Sequence, residues 1–181
     1  LVFLVALALF VIYFINALAV KNGQTFAVIG FSVLGLIVTY LITTIFHEIG
    51  HLVVGAICKL KLAYFKVFGL KFYRNESGKV KVCFEPDGNA FGETAFIPTT
   101  SNGVATKIGF TALGGPIFTL IQTIIQFVIL LTCFNNTVVF CLFGLSFVIP
   151  LYVLLINVIP FSQNYDGYLA FTLLLGGKNG L

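Results

Sequence analysis

The chain has 181 residues, of which 59% are hydrophobic and 9% charged, with a formal net charge of +4. A soluble domain carries about a quarter charged residues, so this composition excludes an ordinary water-soluble globular protein and predicts an integral membrane protein. The small positive balance is a matter of membrane topology, not the footprint of a nucleic-acid partner.

The first apolar run, Leu1 to Val20, has the ~20 residues that a bilayer-spanning helix needs. It is too long and too evenly apolar for a signal peptide, and it lacks a basic leading region. A turn, "KNGQT", follows. The second run, Phe26 to Ile57, is longer than one straight span requires, so it is expected to tilt, kink or protrude.

From Cys58 to Lys107 the character changes. Eight of the ten basic residues and four of the six acids lie here. "LAYFKVFGLKFY" and "GKVKVCFEP" are rich in aromatic and β-branched residues, with "RNESG" as a turn between them, which predicts a β-hairpin over 62–85. A third span is expected over Ile108 to Phe134, containing "GGP" at Gly114 to Pro116, and a fourth over Thr137 to Ile159. A break, "NVIPFSQNYDG", leads to a short apolar end. The four cysteines have no CxxC spacing and read as small buried hydrophobes.

The expected fold is therefore an all-α polytopic membrane protein with about four transmembrane helices and a small cytoplasmic β-hairpin insertion. Residues 1–25 form the first helix and turn. Residues 26–175 form the core, with the 59–107 loop on the cytoplasmic side under the positive-inside rule.

Within the second run stands "FHEIGH". His47 and His51 are the only two histidines of the chain. Four residues apart on a helix they share a face, so both imidazoles can reach one Zn²⁺, with Glu48 beside them to polarise a metal-bound water. Ionisable groups inside an apolar span cost roughly 2.5–3.5 kcal/mol each on insertion scales and are functional candidates by default. The bland alternative is a pair of hydrogen-bonded core histidines with Glu48 paired to one of them. Loop charge places the end of the second span and the end of the fourth on one side of the membrane. Asp166 can therefore meet the histidines as a third ligand, leaving the fourth position open.

"HEIGH" in one span, "GGP" in the next and "NVIPFSQNYDG" ending the last together resemble the site-2 protease family of intramembrane zinc metalloproteases. The resemblance covers roughly Phe26 to Leu175. It implies one Zn²⁺ per chain held by His47, His51 and Asp166, with Glu48 as catalytic base. Asn157 and Pro160 fall on the family's NxxP positions. This implies that Asn157 donates to the oxyanion or holds the substrate backbone; the alternative is a bond to helix carbonyls freed near Pro160. Gly114, Gly115 and Pro116 either open the third span to a substrate strand or permit close helix packing. The hairpin either adds an unwound substrate as a strand or sets its lysines on anionic lipid. With about 50 residues in the polar loop there is no room for a PDZ domain, so a compact member is implied.

The expected function is hydrolysis of membrane-spanning or membrane-associated peptides, as in regulated intramembrane proteolysis, with the lipid bilayer and a membrane-embedded substrate as partners. The alternatives are an inactive member of the family that holds membrane segments, and a metal transporter.

Overall fold

The computed structural model describes residues 25–75, 77–86, 91–133, 135–160, 163 and 165–176. The expected first span lies outside them. The described elements are α1 (Thr25–Ile57), β1 (Lys61–Val67), β2 (Leu70–Arg74), β3 (Val80–Phe84), β4 (Gly92–Ile97), α2 (Val104–Thr132), α3 (Thr137–Gly144), α4 (Val148–Val158) and α5 (Asp166–Leu175).

The fold is mixed α/β, which corrects the all-α, four-span expectation. The polar loop forms a four-stranded antiparallel sheet in the order β3-β2-β1-β4. Among the described residues, two helices, over Ile29–Ile57 and Val104–Thr132, are long and apolar enough to cross a membrane.

Two local causes explain the correction. First, "LAYFKVFGLKFY" is not one strand but two. Val67 pairs with Leu70, and the intervening Phe68 and Gly69 have φ of 51° and 80°. Both central residues therefore take the left-handed conformation of a type I′ hairpin, whose twist matches the strands it joins. β2 and β3 pair as well, from Arg74 opposite Val80, with the Lys79 amide donating to Asn75 Oδ1 at 2.9 Å. The fourth strand, "GETAFI", has too weak an apolar alternation to stand out, and its pairing with β1 supplies what its own propensity lacks.

Second, the expected span over 137–159 is broken into α3 and α4, of 8 and 11 residues. At about 1.5 Å per residue neither crosses a ~30 Å hydrocarbon core. Pro150, in the first turn of α4, has no N–H to offer the Ser146 carbonyl. That carbonyl accepts from Ile149 N instead, at 3.0 Å. The Ser146 hydroxyl donates to Leu142 O at 2.6 Å and accepts from Gln126 Nε2 at 3.0 Å.

The described residues form two compact units, one from 25–41 and 123–150, the other from 42–122 and 151–176. In the first, a Cβ on Gly35 would lie 2.1 Å from Leu142 O, so only glycine admits that approach. The second unit holds the sheet and all the candidate site residues.

Burial on the long helices inverts the water-soluble pattern. The buried row of α1 is Ser32, Gly35, Thr39, Thr43, His47, His51 and Gly55, while Val33, Ile37, Leu41, Ile45 and Val53 face outward. On α2 the buried row runs through Thr111, Gly115, Thr119, Thr123 and Gln126, with Ile117, Ile121, Ile124 and Val128 exposed. Both rows follow the three- and four-residue spacing of one helix face. Among the described residues, the buried hydrophobic side chains are only Leu60, Val67, Ala112 and Ala170.

Candidate metal centre

The site begins with a glycine contact. A Cβ on Gly50 would lie 2.2 Å from Gly114 O, and one on Gly114 would lie 2.4 Å from Gly50 O. The backbones of α1 and α2 therefore touch, as small residues allow in helix pairs within membranes. This is the packing alternative for Gly114, and it brings His47 and His51 onto the row of α2 that carries Thr111, Gly115 and Thr119.

Both histidines and Glu48 are buried. His47 Nδ1 lies 2.9 Å from Thr119 Oγ1, and His51 Nδ1 donates to Thr111 O at 2.8 Å. Their other nitrogens converge, with His51 Nε2 3.2 Å from His47 Nε2. Gly115 floors this point. A Cβ there would sit 2.4 Å from His51 Nε2 and 2.5 Å from His47 Nε2.

Asp166 completes the cluster from 119 positions beyond His47, its Oδ2 lying 2.9 Å from His47 Nε2 and 3.2 Å from His51 Nε2. It is the first residue of α5, where a carboxylate also meets the positive end of the helix dipole. Gly167 sets that helix in place. A Cβ on it would lie 2.3 Å from Val158 O and 2.7 Å from Asn157 O, so α5 starts against the end of α4. At its far end Leu174 packs on Gly109 of α2.

The three atoms fit a metal ion. Among the described residues, His47, His51 and Asp166 form the one cluster able to hold one. Separations of 2.9–3.2 Å approach the ~3.3 Å expected between donors bound at ~2.0–2.1 Å around tetrahedral zinc. Two imidazoles and a carboxylate are a donor set suited to Zn²⁺. Comparison with protein-family models, curated proteins and solved structures finds no match to this chain.

Glu48 points away from the cluster's α2 side toward the sheet. The Thr94 hydroxyl donates to Glu48 Oε2 at 2.6 Å. Gly92 lies against the same side chain, since a Cβ there would be 2.6 Å from Glu48 Cγ and 2.7 Å from Oε1. Both residues belong to β4, the end strand of the sheet. On the opposite face of β4, Glu93 pairs with the buried Lys66 at 2.9 Å and accepts a hydrogen bond from Tyr64. That bond pushes the Tyr64 hydroxyl up to about 12. The paired charges lock β4 to β1, which holds Thr94 over Glu48.

Asn157 lies on α4, near its end. Its side-chain amide donates to Val153 O at 2.9 Å, a bond along its own helix. Pro160 follows that helix, beyond its last turn. The sequence reading singled out neither Thr94, Gly92, Thr119 nor Thr111. The four-residue row Thr111, Gly115, Thr119 on α2 mirrors the spacing of His47 and His51 on α1, and that repeat was the available signal.

Proposed function

We propose that this chain is an intramembrane zinc endopeptidase. The observation that carries the reading is the convergence of His47 Nε2, His51 Nε2 and Asp166 Oδ2 within 3.2 Å of one another, beside a buried carboxylate. "HEIGH", "GGP" and "NVIPFSQNYDG" support the same reading through their resemblance to the site-2 protease family.

Membrane embedding is supported by the inverted burial. Only 22% and 39% of the 18-residue apolar stretches within the two long helices is buried. A core helix of a soluble protein would be mostly covered, and water would not tolerate so many exposed aliphatic side chains on both helices. The chain is read as multi-pass, with 59–107 and the metal centre toward the cytoplasm under the positive-inside rule. His51 lies eight residues before Lys59, roughly 12 Å along the helix, close enough to the surface for water to reach it.

The residues divide the work. His47, His51 and Asp166 hold the ion. When bound, Zn²⁺ supplies Lewis acidity, polarising a scissile carbonyl and acidifying water toward a pKa of about 7. Glu48 accepts a proton at its carboxylate and delivers it to the leaving amine. Thr94 and Gly92 hold that carboxylate in one orientation. Among the described residues β4 ends the sheet, so an unwound substrate segment would add along its outer edge as an extra strand, next to Glu48. Unwinding is required because a helical peptide bond is shielded by its own ladder.

The first measurement is metal content. Detergent-purified wild type is expected to carry about one zinc per chain, as a three-ligand catalytic site does, and the His47→Ala/His51→Ala variant none. Asp166→Ala is expected to weaken zinc binding by more than ~100-fold, because loss of outer-shell partners alone costs ~10–100-fold. Wild type free of zinc after chelator-free purification would sink the proposal, and undiminished affinity in Asp166→Ala would assign the third ligand elsewhere.

A further inference from the structure

A histidine binds a metal through a nitrogen that carries no proton, so the tautomer of each ring decides whether the centre can form. The contacts on α2 match one tautomer for each ring in the metal-bound centre. His51 Nδ1 lies 2.8 Å from Thr111 O. A carbonyl oxygen only accepts, so this nitrogen carries the proton and donates it. The Gly115 amide also approaches His51 Nδ1, but at 3.4 Å it is the longer and weaker contact.

Among the described residues, His47 has no carbonyl partner at Nδ1. Its Nδ1 lies 2.9 Å from the hydroxyl of Thr119, a group that can donate or accept. The direction is decided one turn back, where Thr119 Oγ1 lies 3.0 Å from Gly115 O. That carbonyl too can only accept, so it takes the single hydroxyl proton. The oxygen lone pair then accepts from His47 Nδ1–H. With each Nδ1 carrying the proton of a neutral ring, both Nε2 atoms are free to bind the ion, 3.2 Å from each other and within 3.2 Å of Asp166 Oδ2.

We infer that Thr119, fully buried on α2, is a positioning residue of the metal centre. By donating to Gly115 O it makes its oxygen an acceptor and so holds His47 in the Nδ1–H tautomer, with Nε2 directed at the ion. Outer-shell acceptors of this kind fix ring orientation and raise ligand basicity. The inference rests on the zinc reading above and assigns part of that centre's affinity to a hydroxyl that touches neither ion nor substrate.

The test compares wild type, Thr119→Val, Thr119→Ala and Thr119→Ser. Val preserves shape, Ala removes the same acceptor with less bulk, and Ser restores the hydroxyl. Zinc affinity, by competition with a chromophoric chelator, is expected to fall ~10–100-fold in the Val and Ala variants and to return to near the wild-type value in Ser. With two histidines in the chain, nitrogen NMR of histidine-labelled, zinc-loaded protein should show two Nδ1–H signals. Thr119→Val should move the His47 signal and leave that of His51, whose acceptor is backbone. Wild-type affinity in both Val and Ala, or a Ser variant as weak as Val, would overturn the inference while the zinc reading stands. Wild type without zinc would overturn both.

Discussion

Glu48→Gln is expected to keep its zinc and lose peptide hydrolysis by at least ~10²–10⁴-fold, the usual range for removing a general acid–base. Glutamine has the same length, and its amide oxygen can still accept from Thr94, whose hydroxyl lies 2.6 Å from Glu48 Oε2 in the native site. The three candidate ligands do not include Glu48, so the metal should remain. What is lost is the capacity to accept a proton. The assay reconstitutes wild type and variant in vesicles with a panel of single-span peptides carrying helix-breaking segments. Cleavage is read by mass spectrometry, and zinc content is measured on the same samples. Full cleavage in the variant would remove Glu48 from its role. Wild type that binds zinc but cuts none of the panel, together with stable capture of those peptides, would favour a holding protein over a protease.

Gly115→Ala is expected to damage the proposed metal centre while leaving the helix intact. The added methyl would lie 2.4 Å from His51 Nε2 and 2.5 Å from His47 Nε2, well inside van der Waals contact. The rings cannot retreat easily, because each is tied at Nδ1 to α2 itself and α1 meets α2 backbone to backbone at Gly50 and Gly114. Overpacking of this kind costs about 1–3 kcal/mol, so zinc affinity should fall by roughly 5–150-fold. In a helix interior, alanine is otherwise preferred to glycine by about 1 kcal/mol. Far-UV circular dichroism should therefore show undiminished helicity. Wild-type zinc affinity in Gly115→Ala would show that the rings meet elsewhere than over this residue.

Much of the candidate site was legible because its residues are close in sequence. His47, Glu48 and His51 lie within one and a half turns of α1, and helix geometry alone puts the two imidazoles on one face. Asp166 was reached from loop charge and an expected fourth span, which the structure breaks into α3 and α4; what places it is the start of α5 against the end of α4. The "GGP" motif was visible, but which glycine packs on Gly50 and which lies against the imidazoles depends on the rotation of α2. The role of Asn157 rested on resemblance, and its amide is bonded within α4.

Composition and short-range spacing by themselves determined the apolar character of the chain, the histidine pair with its carboxylate, and the position of the polar insertion. They did so because each is expressed within a few residues, as hydrophobicity or as a helical repeat. Tertiary structure decided the rest. The break at Pro150 is set by which carbonyl finds another donor, and β4 becomes a strand through pairing with β1. Thr94 meets Glu48 only because that sheet lies against α1, and Thr119 meets His47 only because Gly50 and Gly114 let two helices touch. Contacts between residues 46 or 72 positions apart leave no periodic mark in either segment, so only the folded chain shows them.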